Sequence, residues 1–343
     1  MALHRPLIGI SAGDPAGIGP EICVKALSSE ELYAICRPAV VCDAAVMEAA
    51  ADFSKIDIPI RKISDPSEGA YEPGAIDVVN MKNIEMRNLR YKTVAAETGR
   101  ASFEYIKRVI NLALTGVIDA TVTGPIHKEA INAAGYHYAG HTEIYADLTN
   151  TRDYAMMLAD RGFRVAHVST HVPLREAVDL VTKDRIVKVI QLADETLKKL
   201  GIEKPKIGVA GLNPHAGEGG MFGREEIDHI IPAIEAAQER GIGADGPVPP
   251  DTVFSKMRGG QYDIVVVMYH DQGHIPTKLS GFEFDEKTGS WSSMSGVNMT
   301  LGLPIIRTSV DHGVAFGKAG EGRANPESLI QAVQMAAKLA KKD

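Results

Sequence analysis

The sequence lacks any long apolar run and contains little cysteine. Its apolar stretches are shorter than the roughly 18 residues that a membrane-spanning helix needs, and its first residues do not form a secretory signal. These absences predict a cytoplasmic protein with no membrane partner. The three cysteines, Cys23, Cys36 and Cys42, fit neither a disulfide framework nor a zinc ribbon. We therefore expect reduced thiols that pack in the core.

An excess of basic residues is also absent. The chain has 44 acidic and 37 basic residues, which give a formal net charge of −7. Non-specific nucleic-acid binding requires a basic surface that displaces counterions, so we expect no nucleic-acid partner. A small anionic substrate is still compatible with this composition, because positive charge can be concentrated locally.

The common nucleotide-binding motifs are missing as well. After Gly17 and Gly19 the third glycine of G-x-G-x-x-G is replaced by Ile22, and no G-x-x-x-x-G-K-[ST] occurs. "SAGDPAGIGPE" is then a tight loop that opens a helix at Pro20. A second glycine-rich stretch, residues 311–327, precedes the last helix. Its backbone N–H groups could hold a nucleotide, and a plain loop is the alternative.

What the 343-residue sequence does contain is an alternation of strand-like and helix-like segments. Short β-branched runs predict strands, and amphipathic stretches between several of them predict helices. The predicted strands are "PLIGIS", "RPAVVCD", "IDVVNM", "DATVTGP", "DYAMMLAD", "FRVAHVST", "KIGVAG" and "DIVVVMYHD". Such alternation is typical of an α/β protein with a largely parallel sheet. Residues 280–296 are polar and irregular, and predict an exposed inserted loop.

Histidine follows three of the predicted strands, close to where each strand ends. These are His171, His215 and His270. In open α/β sheets ligands bind beyond the carboxyl ends of the strands, and three neutral imidazoles form a good site for a divalent metal ion. The sequence therefore indicates a metal site. The histidines lack the short spacing of an established metal motif, so isolated loop histidines are the alternative.

Side chains suited to an anionic substrate occur near the same strand ends. Lys278 follows the third histidine by eight residues, and Arg307 ends the apolar run "LGLPIIR". A guanidinium fork and a mobile ammonium group suit a carboxylate or a phosphate. A solvated lysine and an ordinary salt bridge are the alternatives. Asn298, His141 and Thr142 could form hydrogen bonds with substrate hydroxyl groups.

Together these segments resemble the 4-hydroxythreonine-4-phosphate dehydrogenase family. The match runs nearly end to end and keeps the family's order and approximate spacing in "GDPAGIGPEI", "VTGPIHKEA", "GHTE", "STHVPL", "GLNPHAGE", "PPDT", "MYHDQG" and "GVNMTLGLPIIRTSVDHG". The family is similar in fold to the isocitrate and isopropylmalate dehydrogenases. The resemblance implies two α/β domains with an active site in the cleft between them. Residues 1–135 and 300–343 would form one domain, and residues 136–299 the other, with the metal site and the dimer contacts.

The resemblance also implies roles for individual residues. The divalent-metal ligands would be His171, His215 and His270, the last of which reaches the site of the partner subunit in a homodimer. The substrate contacts would be His141, Thr142, Lys278, Asn298 and Arg307. NAD, with NADP as the alternative, would lie along the glycine-rich segment at His312, Gly313, Gly320 and Asn325. Zn²⁺ is the expected metal ion, and Co²⁺, Mn²⁺ and Mg²⁺ are the alternatives.

The implied reaction is the NAD-dependent oxidation and decarboxylation of a 4-phosphorylated hydroxy acid, as in pyridoxine biosynthesis. The metal ion would lower the pKa of the substrate hydroxyl and stabilise the enolate left by carbon dioxide. Either Asp251 or Lys278 would move protons. A carboxylated cis-dihydrodiol dehydrogenase of the same family and a phosphate acyltransferase of similar fold are the alternatives.

Two departures from the family pattern affect the expected substrate. Residues 280–296 are longer than the family's turn, and "HGVAFGKAG" has Val314 and Gly317 where the family has Thr and Asp. Relatives of this kind are similar to a catabolic branch that acts on 4-phospho-D-erythronate or 4-phospho-D-threonate. We therefore expect either one of these acids or 4-phosphohydroxy-L-threonine as the substrate.

Overall fold

The computed structural model describes residues 5–286 and 290–341. The strands are β1 (Leu7–Ser11), β2 (Arg37–Cys42), β3 (Ile60–Ile63), β4 (Ile76–Asn80), β5 (Ala120–Thr123), β6 (Ala155–Asp160), β7 (Phe163–His167), β8 (Ile207–Ala210), β9 (Ala244–Val248), β10 (Ile264–Val267), β11 (Phe282–Asp285), β12 (Ser290–Met294), β13 (Val297–Leu301) and β14 (Arg307–Val310). The α-helices are α1 (Gly19–Leu27), α2 (Glu31–Ile35), α3 (Ala44–Phe53), α4 (Ala96–Leu114), α5 (Lys128–Ala133), α6 (His141–Leu148), α7 (Leu174–Asp179), α8 (Lys183–Lys199), α9 (Ile231–Gln238), α10 (Pro250–Arg258), α11 (His270–Gly281) and α12 (Glu327–Ala340).

The chain forms two compact units. The first comprises Met1–Thr151 with Leu303–Asp343, and the second comprises Arg152–Gly302. The boundary differs from the expected one, since residues 136–151 belong to the first unit. The reason is that Ile144 and Tyr145 of α6 pack in one apolar cluster with Phe103 and Ile106 of α4.

The first unit is built on a parallel sheet. Its strand order is β3-β4-β2-β1-β5-β14, and each neighbouring pair is parallel. Ile10 of β1 lies opposite Val40 on one side and Val122 on the other, and all five residues of β1 are buried. Parallel strands that are covered on both faces are apolar throughout. This is why the sequence shows them as unbroken apolar runs.

The second unit contains a mixed sheet in the order β13-β6-β7-β10-β8-β9. The pairs β13–β6 and β6–β7 are antiparallel, and the remaining three pairs are parallel. Its core cluster includes Leu158, Val165, Val265 and Val267 from the strands, together with Met257 of α10. Because β7, β10 and β8 are parallel neighbours, the segments that follow them leave the sheet at the same edge.

The predicted α/β class with largely parallel sheets is confirmed. All eight predicted strands are present, as β1, β2, β4, β5, β6, β7, β8 and β10. Six strands were not predicted, namely β3, β9, β13 and β14, together with β11 and β12 within residues 280–296. Of the unpredicted strands, β3 and β9 are the edge strands of the large sheet, with the sequences "IRKI" and "ADGPV". An edge strand is less covered than an inner one, so its sequence carries a weaker apolar signal.

The prediction of an irregular loop over residues 280–296 is wrong for the part that the structure describes. β11 and β12 form an antiparallel pair, with Phe282 opposite Met294 and Asp285 opposite Ser290. A bulge lies between Glu283 and Phe284. Polar and aromatic residues alternate in "FEFD", and such a short polar segment is compatible with either a hairpin or a loop.

The cysteine prediction is confirmed, because Cys23, Cys36 and Cys42 are free and buried. Burial raises the pKa of the Cys23 thiol to about 12 and raises that of Cys42 as well. Within residues 5–286 and 290–341, no helix is long and apolar enough to cross a membrane.

Candidate active site

In the second unit, the edge beyond β7 and β10 brings two of the predicted metal ligands together. The ring centres of His171 and His270 lie 5.7 Å apart. Two imidazoles that bind one tetrahedral ion at about 2.0–2.1 Å have ring centres roughly 5 Å apart. The observed separation is close to this value, so the edge of the sheet places both imidazoles in one neighbourhood.

The surroundings of this histidine pair also suit a metal ligand. His270 Nδ1 lies 2.6 Å from Asp271 Oδ1, and a carboxylate on the second ring nitrogen is the usual companion of a metal-binding histidine. The pair lines a cavity of ≈350 Å³ formed by Thr170, His171, Val172, Leu174, Ala177, Tyr269, His270 and Asp271. Apolar walls beside two imidazoles give a place for a small organic ligand.

The third predicted ligand, His215, stands on an unusual turn after β8. His215, Ala216, Gly217, Glu218 and Gly219 all have left-handed backbone angles, with φ between 44° and 81°. For residues other than glycine this conformation costs about 1–2 kcal/mol each. Such strain persists only where surrounding contacts impose it, and it is frequent at functional sites. The observation makes His215 a stronger candidate than its sequence position alone did.

The histidines do not form a complete three-ligand cluster within one chain. Among the described residues, no group of three or more His, Cys, Asp or Glu side chains could hold a metal ion. The ring of His215 instead lies 6.3 Å from that of Phe222. The predicted role of His270 in the partner subunit's site stays a prediction.

Two further histidines, which the sequence analysis missed, lie behind the pair. His274 stacks on His270 with ring centres 3.6 Å apart, and its Nδ1 lies 2.9 Å from the carbonyl oxygen of His270. His167 is fully buried, with its ring centre 4.8 Å from that of His274. Burial, and then the nearby His274, lower the pKa of His167 to about 3. The four-residue spacing of "HDQGH" on one helix was the available signal for His274.

The other predicted residues of the second unit are more dispersed. Lys278 lies on α11, two turns beyond His270, with its Nζ 4.8 Å from the ring centre of Phe282. Asn298 on β13 donates a hydrogen bond from Nδ2 to Met156 Sδ at 3.0 Å. Asp251 is exposed in the first turn of α10. The geometry does not choose between Asp251 and Lys278 as the group that moves protons.

The first unit holds a buried cation at the start of β14. Arg307 is only 3% exposed, and it donates a hydrogen bond from Nη2 to Thr123 Oγ1 at 3.2 Å. Its guanidinium carbon lies 5.6 Å from the ring centre of Tyr145. Burial lowers the pKa of Arg307 to about 10, so the group keeps its charge at neutral pH.

His141 and Thr142 lie in the same unit at the start of α6. Burial, followed by the charge of Arg307, holds the pKa of His141 well below its usual value, so that the ring is neutral. Its Nε2 atom is buried with no hydrogen-bond partner in the described part of the chain, and Thr142 is 8% exposed. A buried guanidinium with a neutral imidazole nearby suits a phosphate or carboxylate group.

The two glycine-rich stretches pack against each other in the first unit. Ile18 N donates a hydrogen bond to Val314 O at 3.1 Å, and a Cβ on Gly17 would lie 3.0 Å from Val314 Cβ. Lys25 Nζ donates hydrogen bonds to the carbonyl oxygens of Gly322 and Ala324 at 2.9 and 2.7 Å. The expected cofactor segment is therefore held in place by α1.

The expected cofactor residues lie along this segment. His312 Nδ1 is 3.0 Å from Gly313 O, and Asn325 Oδ1 accepts the N–H of Glu327 at 2.8 Å. Gly320 has φ +75°, and a Cβ there would lie 3.1 Å from the ring of Tyr91.

Two residues beside the cofactor segment, His127 and Asp14, were not predicted. The His127 ring stacks on that of Phe316, with ring centres 4.8 Å apart. Burial raises the pKa of the Asp14 carboxyl group.

Known proteins match this chain over nearly its whole length. The family model described as "Pyridoxal phosphate biosynthetic protein PdxA" matches residues 34–336. A protein of Oceanobacillus iheyensis named "Putative D-threonate 4-phosphate dehydrogenase" is 46% identical over 338 residues, covering 98% of each chain. The crystal structure of 4-hydroxythreonine-4-phosphate dehydrogenase from Klebsiella pneumoniae is 41% identical, with a TM-score of 0.87 and 100% of both chains covered.

A more distant structure is that of a terephthalate 1,2-cis-dihydrodiol dehydrogenase from Burkholderia xenovorans, at 28% identity, a TM-score of 0.67 and 98% of both chains covered. The family model spans well over half of the chain, and relatives above 40% identity span nearly all of it. The chain belongs to the PdxA family of pyridoxal phosphate biosynthetic proteins.

Proposed function

We propose that this protein is a dehydrogenase that oxidises and decarboxylates a 4-phosphorylated hydroxy acid with NAD and a divalent metal ion. The observation that carries the proposal is that the predicted ligands His171 and His270 line one cavity of the second unit, at the edge of the sheet where the segment that carries His215 also leaves it. Membership of the family and the names of its dehydrogenase relatives support oxidation of a CH–OH group.

In the proposed site, His171, His215 and His270 hold the metal ion, with Zn²⁺ as the first choice. The ion, when bound, supplies polarisation of the substrate hydroxyl and of the carbonyl formed from it. NAD, when bound along residues 312–325, accepts the hydride. Asp271 orients the imidazole of His270 through its contact with Nδ1.

The anionic end of the substrate is assigned to Arg307, His141 and Thr142. Arg307 is a buried, charged fork, and His141 is kept neutral by burial, so the two do not repel each other. Lys278 and Asn298 are assigned to the reacting end. Either Lys278 or Asp251 returns the proton after carbon dioxide leaves.

The assay that tests this function offers four substrates with NAD and Zn²⁺ and follows NADH absorbance. The substrates are 4-phosphohydroxy-L-threonine, 4-phospho-D-erythronate, 4-phospho-D-threonate and a carboxylated cis-dihydrodiol. Relatives named for two phosphorylated acids are similar to this chain at 46% and 41% identity, so we expect one phosphorylated acid to be preferred. NADH from none of the four would refute the proposal.

We further propose a homodimer in which His270 completes the partner's metal site. Ile275 and Leu279 lie one turn apart on α11 and are 64% and 82% exposed. Leu174, in the first turn of α7, is 64% exposed. Large apolar side chains exposed together favour a protein contact, and α11 begins with His270.

Mixed dimers separate the two arrangements of this metal site. If His270 acts across the dimer, His171→Ala and His270→Ala subunits regenerate one complete site per mixed dimer, and activity returns. If all three ligands come from one chain, each site in that dimer lacks a ligand and the mixture stays inactive. The control pair is His171→Ala with His215→Ala, which we expect to stay inactive in either arrangement.

A further inference from the structure

Glu226 is a buried carboxylate beside the left-handed turn that carries His215. It is only 2% exposed. Its Oε1 accepts the backbone N–H groups of Leu212 at 2.7 Å and Asn213 at 2.8 Å. Its Oε2 accepts Asn213 Nδ2 at 2.9 Å. Three donors from the two residues before Pro214 thus converge on one side chain.

The same carboxylate packs against the backbone on both sides of His215. A Cβ on Gly211 would lie 3.1 Å from Glu226 Oε1, and one on Gly217 would lie 2.7 Å from Oε2. No side chain larger than hydrogen fits at Gly217 unless the carboxylate moves. The path of the chain from residue 211 to residue 217 therefore follows the position of Glu226.

A local irregularity of the backbone places Glu226 at this point. Residues Glu226–Ile230 form a π-helical turn, in which the N–H of Ile231 donates to the carbonyl oxygen of Glu226. π-helical turns inside helices are frequent at functional sites. The neighbouring Glu225 is less buried, and its Oε2 accepts a hydrogen bond from Asn213 Nδ2 at 2.7 Å.

We propose that Glu226 is a positioning residue that holds the 213–219 turn so that the His215 imidazole points at the divalent ion. The inference rests on the proposed function, because it takes His215 as a metal ligand. Backbone hydrogen bonds such as Ala216 N to Asn213 O at 3.1 Å close the turn itself but do not tie it to the rest of the unit. The Glu226 carboxylate supplies fixed acceptors where the turn begins.

The test is the Zn²⁺ affinity of the full-length protein, measured by titration calorimetry after removal of metal with a chelator. Glu226→Gln keeps the shape of the side chain but presents an NH₂ group to the Asn213 amide in place of an acceptor. We expect Zn²⁺ to bind 10–100-fold more weakly, the usual effect of losing a group that orients a metal ligand. The matched control is Glu225→Gln, which removes the same charge from the adjacent position and is expected to leave the affinity unchanged.

Unchanged affinity in Glu226→Gln, or equal weakening in both variants, would overturn the inference, since equal weakening indicates a charge effect. The thermal midpoint, measured without metal, separates positioning from folding. If Glu226→Gln does not fold, Glu226→Asp, which keeps the charge but shortens the reach of the carboxylate to the N–H groups of Leu212 and Asn213, decides by the same titration. Wild-type protein that binds no Zn²⁺ would defeat the proposed metal site as well. Loss of binding in His171→Ala with normal binding in Glu226→Gln would defeat only the role of Glu226.

Discussion

The buried His167 makes a specific contribution to the pH dependence of stability. Its pKa is about 3 in the folded protein and has an ordinary value of 6.5. Between these values the unfolded chain binds a proton that the folded chain does not. The stability associated with the neutral ring is therefore fully present above pH 6.5 and is lost as the pH falls from 6.5 towards 3.

The size of the loss follows from the two pKa values. At pH 5 about 97% of the unfolded His167 rings are protonated, compared with about 1% of the folded ones. The linked free energy is then about 2 kcal/mol at pH 5 and close to zero at pH 7.5. No discount for solvent screening is needed, since the side chain is fully buried.

The perturbation is His167→Asn, which removes the titrating ring and keeps a donor near Met156 O, the atom 3.2 Å from His167 Nδ1. Urea unfolding at pH 7.5 and pH 5.0, in the presence of a chelator, gives the two free energies for each protein. Far-ultraviolet circular dichroism, which reports the loss of helices and strands, follows the transition.

We expect the free energy of unfolding of the wild type to fall by about 2 kcal/mol more than that of His167→Asn between pH 7.5 and pH 5.0. The variant is less stable at both, and only the pH-dependent part of the difference tests the argument. An equal loss in the two proteins would refute it. His137→Asn is the control, because His137 is exposed and its replacement is expected to leave the pH dependence as it is.

Three further predictions follow from single residues. Arg307→Met removes the buried charge, and we expect kcat/KM for the phosphorylated substrate to fall about 10–100-fold, mostly through KM; an unchanged KM in steady-state kinetics would contradict the assignment. Leu279→Glu charges the side chain that is 82% exposed on α11 and should shift the dimer towards monomer in sedimentation, whereas Leu114→Glu, at a 47% exposed position on α4, should not. Gly19→Ala should lower the thermal midpoint strongly, because the added Cβ would lie 1.9 Å from Ala12 O. Gly317→Ala, whose Cβ meets nothing within 4 Å, should leave the midpoint unchanged. Similar midpoints for both variants would contradict this prediction.

Much of the fold could be predicted because its inner strands are local in sequence. β1, β5 and β10 are buried on both faces, so each appears as a short apolar run. The edge strands β3 and β9 could not be recognised in this way. The boundary between the two units also differs from the expected one, because α6 packs in an apolar cluster with residues of α4 and α5, such as Phe103 and Ile131.

The candidate site was predictable in part for a similar reason. His171 and His270 follow parallel neighbouring strands, and the strand-end rule placed them at one edge. Glu226 and His167 could not be identified in the same way. Glu226 is thirteen residues from Asn213, from which it accepts hydrogen bonds, and its neighbour Glu225 has the same chemistry but is less buried.

The sequence by itself determined the α/β class, the order of most of the strands and membership of the family, because these depend on patterns within short segments and on their order. Tertiary structure decided the distance between the His171 and His270 rings, the left-handed turn at His215 and the burial of Arg307. The physical reason is that distances, backbone strain and desolvation depend on groups that distant parts of the chain bring together. In an exposed loop, histidine and arginine side chains would keep the pKa values that they have in water.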